Sequence, residues 1–248
     1  EEVRLLSNME RADGKLILAG IDLGIQAGRF VVVAGANGAG KSTLFRHLNG
    51  LLAPSEGTVL IDGVAVTDDL KRARRLVGMI FQDADSQIVG ETVFDDAAFG
   101  PENLGLPPAE VHRLVEQTLE QVGLSHLRDL PPHLLSGGEK RRLAIAGVLT
   151  MKPRILVFDE PFSNLDYQGI KQVLAQMAAL HESGHTLVVS THNLETVAGL
   201  AERLVIMAGG RIAQDGPFDE LLPSVEAFGI RMPEALRRGM TVQPWHTR

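Results

Sequence analysis

Hydrophobic positions along this chain follow two alternating patterns. Short continuous apolar runs, rich in valine and isoleucine, predict buried strands, whereas apolar residues that recur every three or four positions predict amphipathic helices. The predicted strands are Phe30–Val33, Val77–Phe81, Ile155–Phe158 and Thr186–Ser190. The predicted helices begin near Lys41, with Leu44, Leu48, Leu51 and Leu52 on one face, and cover Ile170–Met177. This alternation predicts an α/β fold whose mostly parallel sheet is covered on both faces.

Two glycine-containing dipeptides separate neighbouring apolar runs. Asp62-Gly63 lies between Thr58–Ile61 and Val64–Val66, and Gly209-Gly210 lies between Arg203–Met207 and Arg211–Ala213. Such dipeptides favour two-residue turns, so both segments predict antiparallel hairpins.

The region from about Glu91 to Thr150 differs from the rest because it contains no strong strand signal. One predicted helix face in this region comprises Val111, Leu114, Val115, Leu119 and Val122. We therefore expect a mainly helical subdomain, at about residues 84–150, inserted into the α/β core.

Composition limits the possible functions. The 248 residues carry a formal net charge of -7 and no cysteine. This excludes disulfides, thiolate zinc sites and cysteine nucleophiles, and it argues against a nucleic-acid partner. The charged start, Glu1 to Arg4, lacks the apolar stretch of a signal peptide, and no apolar run reaches the roughly 18–20 residues that cross a bilayer. We expect any contact with a membrane to be made through a partner.

A glycine-rich loop with the spacing G-x-x-x-x-G-K-[ST] follows the first predicted strand. Glycines let the backbone approach phosphate oxygens, and the amides at the start of the next helix favour an anion. Lys41 can reach the β- and γ-phosphates, and the Ser42 hydroxyl can bind Mg²⁺. A chance glycine-rich turn is the alternative, but the preceding strand and following helix favour a nucleotide site. The predicted nucleotide-binding residues of this loop are Gly35, Asn37, Gly38, Ala39, Gly40, Lys41, Ser42 and Thr43.

Two carboxylates, Asp159 and Glu160, follow the apolar run Ile155–Phe158. The C-terminal ends of parallel strands face the crevice where α/β proteins bind ligands. We expect Asp159 to hold Mg²⁺, directly or through water, and Glu160 to be the general base that polarises an attacking water. A solvated acidic strand exit is the alternative for such a pair taken alone.

Four further segments occur in the order typical of ATP-binding-cassette proteins. Leu135–Glu139 resembles the signature sequence of that family, Gln82 its Q-loop glutamine, Ser163–Asp166 its D-loop and His192 its switch histidine. The resemblance covers about Leu5 to Leu222. It implies a P-loop NTPase domain over residues 1–222, with an N-terminal antiparallel β subdomain, and a short C-terminal extension over residues 223–248. It also implies ATP and Mg²⁺ as cofactors and ATP hydrolysis as the activity.

The same resemblance implies a head-to-tail dimer with two ATP molecules between the chains. Ser136, Gly137 and Gly138 of one chain would meet the ATP held by Lys41 of the other, and Asp166 would cross the interface. Taken alone, the Ser136 segment favours a simple helix N-cap, and Asp166 could equally be an N-cap.

Gln82 and His192 each follow a predicted strand beside the expected site. The amide of Gln82 can meet Mg²⁺ or the attacking water, and His192 can donate to the γ-phosphate. Both are therefore predicted catalytic residues, together with Glu160, although a lone glutamine is usually a surface residue.

One feature departs from the family pattern. Cassette ATPases usually stack adenine on an aromatic residue in the first strands, and Met9–Gly14 contains none. By spacing, Ala12 occupies about that place, and Arg11 could compensate through its guanidinium plane. Because stacking contributes about 1–3 kcal/mol per base in nucleic-acid complexes, we expect weaker nucleotide affinity or looser base selectivity.

Gln82–Leu106 is similar to a stretch of the energy-coupling-factor group, bacterial and archaeal importers of vitamins and of cobalt or nickel ions; the closest resemblance is to the ATPase of cobalt importers. It implies a transmembrane coupling subunit, a substrate-capture membrane protein and a place on the cytoplasmic face of the cell membrane. Ile88, Val89, Val93 and Phe94 would form a groove for a partner helix or, equally, subdomain core.

The tail after Pro223, including Phe228–Leu236, resembles a short version of the extension that helps to hold the ATPase pair together in that group. A frayed end carrying Trp245 is the alternative. A homodimer and a heterodimer with a related ATPase both fit the sequence.

Rival functions come from other classes. A soluble cassette ATPase could act in DNA repair or cofactor assembly without a membrane partner, but DNA-directed members carry a long coiled coil between Q-loop and signature, and residues 83–135 contain no sustained heptads. A binding module without hydrolysis is disfavoured by the presence of Glu160.

Overall fold

The computed structural model describes residues 2–12 and 15–240, with residues 2, 7–12 and 15 as backbone only. The strands are β1 (Glu2–Ala12), β2 (Lys15–Gln26), β3 (Phe30–Ala34), β4 (Glu56–Ile61), β5 (Val64–Ala65), β6 (Val77–Ile80), β7 (Ile155–Asp159), β8 (Thr186–Ser190), β9 (Arg203–Ala208) and β10 (Arg211–Pro217). The helices are α1 (Lys41–Leu48), α2 (Leu70–Leu76), α3 (Val93–Asn103), α4 (Pro108–Gln121), α5 (Gly137–Leu149), α6 (Tyr167–Glu182), α7 (Leu194–Val197), α8 (Phe218–Leu221) and α9 (Glu234–Arg237). Short 3₁₀ segments cover Ser125–Leu127, Pro132–Leu134 and Leu222–Phe228.

The larger sheet has the strand order β10-β9-β3-β8-β7-β6 and is parallel except for β10. Alternate residues of one strand enter different cores: Val31 packs in a cluster with Phe45 of α1, whereas Val32 packs in a second cluster with Met177 of α6. Every residue of β3, β7 and β8 is buried, because apolar side chains cover both faces. The predicted mostly parallel, doubly covered sheet is confirmed.

The smaller sheet, of order β2-β1-β4-β5, is antiparallel. Both predicted hairpins are confirmed: β4–β5 turns at Asp62 and Gly63 with φ of 51° and 76°, and β9–β10 turns at Gly209 and Gly210 with φ of 55° and 76°. Positive φ at both central residues matches the right-handed twist of the paired strands. The sequence pattern did not locate the bounds of the long strands β1 and β2.

Helices α3, α4 and α5 enclose a third hydrophobic cluster, which includes Val93, Val115, Leu119 and Leu143. The structure thus confirms a helical insertion between β6 and β7. Its limits, and those of the domain and the C-terminal extension, remain predictions.

Two expectations need correction. Helix α1 ends at Leu48, so Leu51 and Leu52 lie beyond it, and Leu51 is exposed. In the tail, Val225 and Ile230 are buried in the second cluster, so a frayed end does not describe this part of the chain. Trp245 lies outside the described residues.

None of the described helices is both long and apolar enough to cross a bilayer.

Candidate functional site

The predicted phosphate loop connects β3 to the start of α1. Two of its glycines are sterically required: a Cβ on Gly35 would lie 2.4 Å from the Met207 carbonyl oxygen, and a Cβ on Gly40 would lie 2.7 Å from a methyl of Leu18. Gly40 also has a φ of 101°, which side-chain-bearing residues rarely adopt. The loop is therefore shaped by packing against β2 and β9, with its backbone left open toward the adjoining space.

Lys41 is buried at the first position of α1, with 8% of its surface exposed. Its Nζ donates to the carbonyl oxygens of Gly35 at 2.8 Å and Ala36 at 3.3 Å. The loop thus holds its own cation next to the free amides of a helix start, an arrangement that favours a bound phosphate.

A cleft of about 1160 Å³ opens over this loop. It collects residues that are far apart in sequence, because the carboxyl ends of β3, β6, β7 and β8 lie at one edge of the sheet. Its lining includes Gly35 to Thr43, Gln82, Asp159, Glu160, Ser163 and His192. The structure therefore brings together all the loop residues predicted from the sequence, the acidic pair, Gln82 and His192.

Ser190 at the end of β8 fixes the acidic pair at the end of β7. Its Oγ donates to Oδ1 of Asp159 at 2.7 Å and accepts from the backbone N–H of Glu160 at 2.8 Å. Glu160 has a φ of 46°, an uncommon conformation for a residue with a side chain. Such strain persists where neighbouring contacts impose it, and it is frequent at functional sites.

His192 contacts the Glu160 carboxylate, with 2.9 Å between Nδ1 and Oε2. An ionised carboxylate only accepts hydrogen bonds, so this pairing places a proton on Nδ1 of His192. The imidazole is largely exposed, whereas the Glu160 side chain is only 12% exposed. The pair thus orients Glu160 while leaving the rest of the imidazole open to the cleft.

The donor set of the cleft fits Mg²⁺ bound together with phosphate. The Asp159 carboxylate, on a residue 5% exposed, and the Ser42 hydroxyl are hard oxygen donors of the kind that Mg²⁺ prefers. Within residues 2–12 and 15–240, no three His, Asp or Glu side chains cluster as metal ligands. Because Mg²⁺ takes six oxygen ligands and usually keeps several waters, water and phosphate oxygens would supply the ligands beyond Ser42 and Asp159.

The segment carrying Gln82 is tied to α5 by two side chains that sequence analysis missed. Arg141, 3% exposed, donates to the carbonyl oxygens of Phe81 and, at 2.6 Å, of Gln82. The Gln87 amide accepts from the Phe81 N–H at 3.0 Å and donates to a carbonyl oxygen of α5 at 3.4 Å. Burial lowers the pKa of Arg141, and the nearby charge of Asp83 opposes that shift.

A sequence signal for Arg141 existed. Position 141 lies on the same helix face as the buried residues Ala144, Ile145 and Val148. A charged residue on an apolar helix face needs buried polar partners. The carbonyl oxygens of Phe81 and Gln82, just after β6, provide them.

Ser136, Gly137, Gly138 and Asp166 are not part of this cleft within one chain. Ser136 caps α5 in a capping box, in which its Oγ and N–H each lie 2.7 Å from Oε2 of Glu139. These two hydrogen bonds, the side-chain one first, lower the pKa of Glu139.

Asp166 caps α6 by accepting from the Gly169 N–H at 2.7 Å. Both N-cap interpretations are therefore confirmed. The two helix starts are neighbours, since a Cβ on Gly138 would lie 3.6 Å from the Gly169 Cα.

The expected adenine-stacking position falls on Met9–Gly14, of which Arg11 and Ala12 lie outside the described side chains. Leu16 and Ile17, at the start of β2, line the cleft instead.

Comparisons with known proteins find related sequences and a related fold. A family model described as "ABC transporter" matches residues 18–163. The energy-coupling factor transporter ATP-binding protein EcfA of Methanocaldococcus jannaschii is 42% identical over 227 residues, which cover 89% of this chain and 81% of that protein. The cobalt import ATP-binding protein CbiO of Syntrophus aciditrophicus is 45% identical over 239 residues, covering 94% and 85%.

A solved structure, cbiO1 from Clostridium perfringens, is described as part of the ABC transporter complex cbiONQ. It matches with a TM-score of 0.80 and 32% identity and covers 96% of each chain. The predicted P-loop NTPase fold is thereby confirmed. By its sequence, its fold and the geometry of its cleft, this chain belongs to the ABC transporter ATPase family.

Proposed function

We propose that this chain is the ATP-hydrolysing subunit of an energy-coupling-factor importer. The importer takes up a transition-metal ion, with cobalt as the first candidate, or a vitamin. The observation that carries the proposal is the single cleft in which the phosphate loop, Asp159, Glu160, Gln82 and His192 meet. The relatives named EcfA and CbiO support the importer assignment.

In this proposal each group in the cleft contributes to nucleotide binding or to hydrolysis. The loop amides and Lys41 hold the β- and γ-phosphates, and Ser42 and Asp159 hold Mg²⁺, which supplies charge neutralisation at the transferred phosphoryl group. Glu160, oriented by Ser190 and His192, accepts a proton from the attacking water. Gln82 would position that water or offer its amide oxygen as a further ligand to Mg²⁺.

We further propose that a second ATPase subunit completes the site. In one chain the capped start of α5, with Ser136 to Gly138, lies outside the cleft, so it is available to the nucleotide of a partner. Glycine amides at a helix start favour phosphate in the same way as the loop does. Asp166, at the adjacent start of α6, would lie at the same interface.

The membrane partner would dock beside the Q-loop segment. Val93 is buried in the third hydrophobic cluster, and the partly buried Ile88 and Phe94 pack against that cluster. Val89, in contrast, is 61% exposed. A shallow groove of about 400 Å³ next to Val89 is lined by Asp85, Ile88, Gly90, Glu91 and Pro131 to His133. A helix of the transmembrane coupling subunit, itself joined to a substrate-capture protein, would occupy this groove on the cytoplasmic face of the membrane.

Two experiments test the proposal. Glu160→Gln should abolish ATP turnover while retaining bound nucleotide in a stable dimer; a fully active monomer would contradict the role of Glu160.

Purification from the native membrane in detergent, followed by mass spectrometry of the intact complex, should show this chain with membrane subunits. A chain recovered only with DNA or with soluble proteins would favour the alternative of a soluble cassette ATPase.

A further inference from the structure

The C-terminal segment supplies part of the wall of the nucleotide cleft. Gly229, Ile230 and Arg231 line it together with the phosphate loop and His192. Arg231 forms a parallel β-bridge with Asn193, the residue that follows His192. The tail therefore reaches the cleft from the side on which Glu160 and His192 lie.

This segment is held in place by packing and by a second contact. Ile230 is 4% exposed and packs in the second hydrophobic cluster, so its side chain anchors the backbone of Gly229 and Arg231. Beyond Arg231, the N–H of Glu234 donates to Oε2 of Glu195 at 3.2 Å. The backbone at Arg231 is thus fixed against the segment that carries His192.

The side chain of Arg231 is not fixed in the same way. It is 75% exposed, and its charge meets Glu234 at 3.7 Å, on the same surface segment. Ion pairs between exposed side chains contribute little to stability. The guanidinium can therefore exchange this carboxylate for a more strongly charged partner at low cost.

The charge balance of the cleft provides such a partner. Among the described lining residues, Lys41 and Arg231 carry the permanent positive charges, and Asp159 and Glu160 are the carboxylates. Lys41 is buried inside the loop and would contact a bound triphosphate from the loop side of the cleft. The opposite side of the triphosphate would face the carboxylates of Asp159 and Glu160. An arginine at the rim can offset the repulsion between those carboxylates and the terminal phosphate.

We propose that Arg231 is a further nucleotide-binding residue, whose guanidinium leaves Glu234 and pairs with the terminal phosphate of the nucleoside triphosphate in the cleft. This inference rests on the proposed nucleotide site and deepens it. The tail then senses whether the γ-phosphate is present, because the pairing is lost when it leaves.

The test compares Arg231→Ala with Arg238→Ala, which removes another arginine paired with Glu234 but remote from the cleft lining. Binding of Mg-AMP-PNP and of Mg-ADP is measured by calorimetry for both variants and for the unaltered chain. Arg231→Ala should weaken AMP-PNP binding about tenfold, as expected for one charge-assisted hydrogen bond, and ADP binding by less than about twofold. Arg231→Lys should recover part of the loss, and Arg238→Ala should bind both nucleotides normally.

Two results overturn this inference alone. Unchanged AMP-PNP affinity in Arg231→Ala shows that the guanidinium does not reach the nucleotide. Equal losses for AMP-PNP and ADP show that the side chain acts elsewhere than on the terminal phosphate. Failure of the unaltered chain to bind either nucleotide would instead contradict the proposed nucleotide site itself, and with it this inference.

Discussion

At the scale of single residues, Ser190 organises the acidic end of the cleft. One hydroxyl donates to the Asp159 carboxylate and accepts from the Glu160 N–H, and Ser190 is fully buried. The position of both proposed functional carboxylates therefore depends on a residue that does not itself line the cleft.

Ser190→Ala should lower the ATP turnover number about 10- to 100-fold, because small displacements of catalytic groups have effects of this size. It should also lower the free energy of unfolding by about 1–3 kcal/mol, because the part-buried N–H of Glu160 and the buried Asp159 carboxylate each lose a hydrogen-bond partner. Steady-state kinetics and urea denaturation measure both effects. Ser183→Ala, which removes a hydroxyl bonded to the end of α6 far from the cleft, serves as the control. Normal turnover in Ser190→Ala would show that Ser190 does not position the carboxylates.

At the scale of elements, α5 connects two ends of the proposed mechanism. Its N-cap is Ser136, and about one turn later Arg141 donates hydrogen bonds to the carbonyl oxygens of Phe81 and Gln82. Lys140 adds an ion pair to Asp85 of the same segment at 2.6 Å. A shift of Gln82 would therefore be passed to the helix that presents Ser136.

Arg141→Met should lower turnover about tenfold with little change in ATP affinity, because it frees the Gln82 segment and leaves two carbonyl oxygens without their donor. Turnover at saturating ATP and a separate binding titration distinguish the two quantities. Arg141→Lys should retain part of the turnover, and Arg113→Met, at an exposed site on α4, should behave normally. If Arg141→Met lowers thermal stability alone, the arginine has only a packing role.

Asp96 on α3 provides a test by pH. Its buried carboxylate accepts from the N–H groups of Val89, at 2.7 Å, and Gly90, at 3.0 Å. Burial raises its pKa above the ordinary 3.8, and the two hydrogen bonds oppose that shift.

A raised pKa means that folding disfavours the ionised form, so the penalty is absent below about pH 3.8 and grows as pH rises toward the folded pKa. Asp96→Asn keeps an acceptor and loses the charge. It should therefore be at least as stable as the unaltered chain at pH 7, and this advantage should shrink as the pH falls toward 4. Thermal denaturation across this range measures it; a variant that is clearly less stable at pH 7 than at pH 4, relative to the unaltered chain, would contradict the desolvation argument.

At the scale of the whole molecule, the sequence predicts those elements that interactions between neighbouring residues determine. The buried parallel strands, both two-residue hairpins and the phosphate loop are set by runs of neighbouring residues. The buried parallel strands begin at the predicted residues, whereas β10 continues to Pro217, beyond its predicted end at Ala213. Strand β1 was harder because register shifts after Leu5 interrupt its pairing with β2. The contacts of Ser190, Arg141 and Arg231 join segments distant in sequence, and only the folded chain brings them together.

In the proposed function, ATP is hydrolysed between the phosphate loop of one chain and the start of α5 of another. The most direct measurement is ATP turnover in an equimolar mixture of Lys41→Ala and Ser136→Ala, each first shown to be folded by circular dichroism. Each variant alone should be inactive, and random pairing into two-fold dimers should restore roughly a quarter of normal turnover, since half the dimers would contain one intact site. A mixture no more active than its components would contradict a site shared between two copies of this chain.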